Sequence, residues 1–169
     1  MAEKNSAPES EPKLVLTRIF NAPRELVFKV WTEPKHILKW WGPKDFTAPH
    51  CKLDPRPGGE FHFCMRAPDG KEYWNKGVIH EIAAPEKIVW TMYFSDEQGN
   101  IRKPTFYGIG DDFPSEMHDT MTFEVYEGTQ TKLILQRSNK LSISKKYMED
   151  VGWNQSLDKF AEALAQAAK

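Results

Sequence analysis

Apolar positions along this chain keep two different spacings, and the switches between them mark its elements. Leu14, Leu16 and Phe20 interleave with Val15, Thr17 and Ile19, a strand pattern over 14–20 with apolar side chains on both faces. Over 23–32 the spacing becomes helical. Leu26, Val27, Val30 and Trp31 form one stripe, and Pro23 takes a first-turn position where its missing N–H costs nothing. Pro34 opens a second short helix with Ile37, Leu38, Trp40 and Trp41 as its apolar content, and Gly42-Pro43 stops it. Two indole rings at the tip of so short a helix have to bury against a neighbour, here the rim of a curved sheet.

The period then shortens to two. Strands are predicted over 46–53 and 60–66, joined by a turn at Pro57-Gly58-Gly59; in the second, Phe61, Phe63 and Met65 share a face opposite Glu60, His62, Cys64 and Arg66. After the Pro68-Asp69-Gly70 turn, strands follow over 71–82 and 87–95, the latter with Trp90, Met92 and Phe94 on one face. Residues 101–116, broken by Pro104, Gly108, Gly110 and Pro114, read as a long loop. A hairpin over 117–126 and 132–138 turns at Glu127-Gly128-Thr129. The chain closes with a helix over 144–168 whose stripe is Tyr147, Val151, Asn154, Leu157, Phe160, Ala161 and Leu164.

This order predicts an α+β domain over 13–168: a curved antiparallel sheet of six or seven strands, wrapped around one long C-terminal helix, with two short helices after the first strand. Residues 1–12 read as a polar, disordered tail.

Composition narrows the function classes. At 169 residues and 40% hydrophobic content the chain suits one domain with a substantial core. Charged residues are 28% of the chain with a net charge of -1, dispersed rather than gathered into a basic stripe, which argues against a nucleic-acid partner. No apolar run has membrane-spanning length and no signal peptide opens the chain, so a cytoplasmic location without membrane insertion is expected. Cys51 and Cys64 fall on neighbouring strands, roughly opposite each other if the hairpin turns at Pro57-Gly58. A disulfide stays open at this point, with two reduced structural thiols the favoured reading.

Several motifs in order carry a resemblance: Ala22-Pro23-Arg24-Glu25-Leu26-Val27-Phe28, Trp31-Thr32-Glu33-Pro34, Trp40-Trp41-Gly42-Pro43, Asp54-Pro55-Arg56-Pro57-Gly58-Gly59, Pro68-Asp69-Gly70, and Gly152-Trp153 with Leu157. From about residue 14 to 164 the chain resembles the helix-grip fold of the START/SRPBCC superfamily, and within it the heat-shock-protein-90 ATPase-activator-like family. The resemblance implies a deep, mostly apolar cavity between the sheet and the last helix. Relatives use it for lipids, sterols or polyketides, and some perform cyclase-type chemistry there. Residues 101–119 look longer and more acidic than the usual connection, which affects the cavity mouth.

Twelve per cent of the residues are aromatic, with six tryptophans and ten phenylalanines, enough either to fill a core or to line a cavity. The expected lining is Trp41, Phe63, Trp74, Trp90, Met92, Phe94, Met121, Phe123, Trp153 and Leu157, with a small hydrophobic or amphipathic molecule as partner. A one-residue register slip would exchange the two faces of each strand. No catalytic residue, metal or cofactor is assigned. His50, His62 and His80 read as structural, while Glu81 or Asp54 would serve as general bases only if desolvated. Asp111, Asp112, Glu116, His118 and Asp119 read as a solvated acidic loop, and Arg137 as a surface ion-pair partner. Two other functions remain open: a cyclase or hydrolase using the same cavity, which requires a buried titratable group facing it, and a chaperone-regulating interaction protein. Either a monomer or a homodimer fits.

Overall fold

The computed structural model describes residues 11–169; most of the expected disordered tail lies outside them. Its strands are β1 (Lys13–Phe20), β2 (Thr47–Leu53), β3 (Glu60–Arg66), β4 (Glu72–Ala83), β5 (Lys87–Ser95), β6 (Ile101–Arg102), β7 (Glu116–Tyr126) and β8 (Gln130–Lys140). Its helices are α1 (Arg24–Thr32), α2 (Pro34–Ile37), α3 (Leu141–Lys146) and α4 (Glu149–Ala167). One antiparallel sheet runs in the order β1-β8-β7-β5-β4-β3-β2, and the two-residue β6 pairs off that path with β5. The architecture is the α+β helix grip expected, with α4 held in the concave face of the sheet.

Aromatic side chains join the layers. Phe20 of β1 packs edge-on against Phe160 of α4 at 5.0 Å, and Phe28 of α1 against Phe123 of β7 at 5.5 Å. Trp31 lies at the centre of this core, 4.7 Å from Trp40, 5.3 Å from Phe160 and stacked on Trp153 at 6.2 Å. The indole of Trp40 donates to the Val30 carbonyl at 3.1 Å, so the pair of tryptophans is anchored by a hydrogen bond as well as by area. Both follow α2 rather than lying within it, because α2 is only one turn long. Gly42 then takes a left-handed φ of 103°, a conformation that only glycine enters without strain.

Gly77 in β4 serves a different purpose. A Cβ there would overlap the Phe61 ring and the Thr91 carbonyl, so the missing side chain lets Phe61 of β3 cross its neighbour strand closely. Lys159 of α4 ties the helix to the turn after α2, its ammonium donating to the carbonyls of Gly42, Pro43 and Phe46 at 3.0, 3.1 and 3.0 Å.

Four expectations change. The C-terminal helix is two helices: Met148 sits at φ 58° and separates α3 from α4. Its inward face is accordingly Trp153, Ser156, Leu157, Phe160, Ala163 and Leu164, while Val151 is 42% exposed and Asn154 faces solvent. The 101–116 segment is partly ordered. β6 is followed by a 3-10 turn at Pro104–Tyr107, and Phe113 is buried against Phe94 and Tyr147 at 5.7 and 5.2 Å. His50 is the residue opposite Cys64, and Cys51 is opposite Phe63. The two thiols therefore alternate to opposite faces and are free, and burial pushes each up to about 12. Fourth, Glu11 and Pro12 are held against α3, where Ser142 Oγ donates to the Glu11 carboxylate and the Leu141 N–H to the Pro12 carbonyl, each at 2.8 Å.

Candidate functional site

Between the concave face of the sheet and the start of α4 lies a cavity of about 280 Å³. Its walls are mainly apolar: Trp41, Met92, Phe94, Phe113, Met117 and Trp153. Asn75, Arg137, Tyr147, Glu149 and Ser156 supply the polar groups, and Met148, 61% exposed, borders the opening.

Strand alternation explains which side chains arrive there. Trp90, Met92 and Phe94 project from β5 on the inner face, and Met117, Asp119, Met121 and Phe123 from β7. Register places Trp90 opposite Asp119 and Asp119 opposite Arg137, so one inner row across three strands reads indole, carboxylate, guanidinium. Asp119 is fully buried and Arg137 is 6% exposed. The guanidinium binds Asp119 as a fork, Nε to Oδ1 at 2.7 Å and an Nη to Oδ2 at 2.8 Å, and the Trp90 indole donates to Oδ2 at 2.9 Å. Its other Nη reaches Glu149 Oε2 at 2.7 Å, while Glu149 Oε1 accepts from Asn139 at 2.8 Å and Ser144 at 2.9 Å. The Arg137 guanidinium also lies 5.5 Å from the centre of the Trp153 ring. Burial opposes its charge, but Asp119 and Glu149 outweigh that and raise its pKa above the ordinary arginine value.

At the opening, Asp112 links the 101–116 segment to the turn before α4. Lys146 donates to it at 2.5 Å and the Tyr147 hydroxyl donates to its other oxygen. These bonds hold the Asp112 carboxyl below its usual range.

Of the expected lining, Trp41, Met92, Phe94 and Trp153 border the cavity. Phe63, Trp90, Met121, Phe123 and Leu157 lie behind them in the core; Phe63 for instance packs at 4.7 Å against Trp41. Trp74 is on the other face of the sheet, between His50 at 5.3 Å and His62 at 4.8 Å, because it pairs with Cys64 and shares that residue's outward phase. On that face the His62 ring donates from Nε2 to the Asp96 carbonyl at 3.2 Å, and His80 meets the Thr91 hydroxyl at 2.6 Å. Glu81 pairs with Lys87 and Asp54 with Arg56, and neither of these conditional bases borders the cavity.

The ion pair at Arg137 is a correction: it is buried, and Asp119 belongs to the core rather than to a solvated loop. A signal for it was present. Asp119 and Arg137 each interrupt an inward-facing apolar alternation, on two strands that one hairpin pairs, and charges placed so are rarely buried unless matched. Tyr147 was in the expected inward stripe, whereas Glu149 carried no such signal, since its orientation depends on the break at Met148. Among the described residues no three metal-capable side chains cluster, and no helix is long and apolar enough to cross a membrane.

A sheet closed over a helix, with an apolar cavity at the helix N-terminus, defines a helix-grip domain of the START/SRPBCC type. Residues 21–165 match the model of the Activator of Hsp90 ATPase homolog 1-like protein family, and the chain belongs to that family. A solved structure from Nitrosomonas europaea is similar at 25% identity, covering 94% of this chain and 97% of that one with a TM-score of 0.71. An AHSA1 protein from Silicibacter pomeroyi is 23% identical over 92% of this chain and 99% of its own, with a TM-score of 0.73. A solution structure from Staphylococcus epidermidis shares the fold at 21% identity, 94% and 92% coverage and a TM-score of 0.74. No curated protein matches.

Proposed function

We propose that this protein binds a small, mainly hydrophobic molecule in the cavity between β5, β7 and α4. The observation that carries the reading is the combination of apolar walls with a few convergent polar groups, the usual composition of a small-molecule site. The volume is modest: at roughly 30 Å³ per water it equals about nine waters, so the fitting ligand has on the order of ten heavy atoms. Sterols and long lipids need the Asp112–Tyr147 contact to part.

A cyclase or hydrolase reading draws support from Glu149, an acid at the cavity wall, but three donors already engage its carboxylate, leaving it poorly suited to abstract a proton. The family's name points instead to a chaperone partner, and a pull-down against the chaperone is expected to retain nothing. Two free cysteines suit a reducing compartment such as the cytoplasm.

The test is a two-dimensional NMR titration of the labelled protein with a panel of compounds of about ten heavy atoms. Saturable shifts of the Trp41 and Trp153 indole N–H signals, with Trp74 unmoved, support the reading. Shifts spread evenly over all six tryptophans, or none, refute it.

A further inference from the structure

Arg137 and Glu149 meet at the cavity wall with unused hydrogen-bonding capacity on both sides of one bond. The Nη that donates to Glu149 Oε2 at 2.7 Å carries a second hydrogen, and among the described residues no acceptor takes it. Oε2 in turn accepts only that one hydrogen bond among the described residues, since Asn139 and Ser144 both address Oε1. One free donor and one free acceptor therefore sit side by side where both residues border the cavity. Around them the fixed charges are one guanidinium against two carboxylates, Asp119 and Glu149. The start of α4 adds a partial positive charge that offsets part of the excess and leaves no surplus to attract an anion.

Building on the binding function proposed above, we infer that the ligand's polar end is an uncharged group that both donates and accepts, a hydroxyl, set against the Arg137–Glu149 pair. A hydroxyl accepts from the guanidinium and donates to Oε2, satisfying both. A carboxylate accepts but has nothing to donate, and meets two carboxylates that already neutralise the arginine. An ammonium donates but cannot accept, and loses its hydration beside a guanidinium. A purely apolar end leaves donor and acceptor unpaired once water is displaced.

Four compounds of nearly one shape separate these cases: cinnamyl alcohol, cinnamate, cinnamylamine and trans-β-methylstyrene, titrated into the wild-type protein and followed at the Trp153 indole signal. The alcohol is expected to bind tightest. Cinnamate is expected to be weaker by about tenfold or more, as roughly half an unbalanced negative charge, left after the start of α4 offsets the rest, gives at roughly 5 Å under an effective dielectric near 20. Glu149→Gln removes one of the two negative charges and keeps the side chain's length, so the gap between alcohol and carboxylate is expected to narrow; its NMR spectrum shows separately that the fold persists. Cinnamate, cinnamylamine or trans-β-methylstyrene binding as tightly as the alcohol would overturn the inference while leaving a binding cavity in place. If none of the four shifts the Trp153 signal, both the inference and the binding function fall.

Discussion

Replacing Arg137 with methionine keeps an unbranched apolar stem of similar girth and removes the guanidinium, which isolates its effect to the buried charge. Among the described residues Asp119, fully buried, then retains only the Trp90 indole as a side-chain donor, and Glu149 keeps Asn139 and Ser144. Removing one partner from a buried ion pair costs about 3–5 kcal/mol, because the remaining charge is left without compensation. For a chain of this size 1 kcal/mol corresponds to about 2–4 °C, so the melting temperature should fall by roughly 6–20 °C. Guanidinium unfolding followed by the fluorescence of the six tryptophans reads the stability directly. Asp119→Asn and the double variant complete a cycle: once the carboxylate is gone, losing the guanidinium should cost less, giving a coupling of about 1–3 kcal/mol. A loss below about 1 kcal/mol for Arg137→Met, or single effects that add within about 0.5 kcal/mol, would show that the two charges do not depend on each other.

Lys159→Met should cost about 2–4 kcal/mol: hydrogen bonds to a charged donor contribute about 1.5–3 kcal/mol each, but the site is only partly buried, so water replaces much of what the three carbonyls lose; a thermal melt within 2 °C of wild type, about 0.5–1 kcal/mol, would refute the tether. Gly77→Ala should destabilise by about 1–3 kcal/mol or more, because the added methyl meets a backbone carbonyl as well as the Phe61 ring, and full stability in the same melt would contradict that packing. Burial raises the Asp96 pKa, but the Asn100 backbone and side-chain N–H groups and Arg102 outweigh it and hold the carboxyl at about 2. That value lies below the roughly 3.9 of an unfolded chain, so its contribution is present above pH 4 and is lost as the pH falls toward 2. Asp96→Asn should therefore flatten the stability profile between about pH 4 and 2, and an unchanged acid transition would remove Asp96 from that role.

The elements were legible because their periods are strong. Strands at 60–66 and 87–95 appear with the bounds read from alternation alone, and the inward phase of Trp90, Met92 and Phe94 is as expected. Trp74 was misplaced for a definite reason: an aromatic residue on an inner or outer strand face looks the same in sequence, and its side of the sheet is decided by pairing with Cys64. The apolar stripe through Tyr147, Val151 and Asn154 assumed one continuous helix. The left-handed Met148 resets the rotation, so a charged residue, Glu149, turns inward while Val151 turns out.

What the amino-acid sequence determined by itself was the order of strands and helices, the motifs of the family, and the supply of aromatic and methionine side chains for the interior. Those properties are local, set by backbone sterics and by spacing along the chain. Only the tertiary structure decided which of these residues face a cavity and which lie behind it, and that Arg137, far from the surface, sits between Asp119 and Glu149. The reason is that charge burial depends on partners brought from other elements: the hairpin spacing hints at Asp119 on the neighbouring strand, but Glu149 arrives across a helix break that no spacing of residues along the chain records.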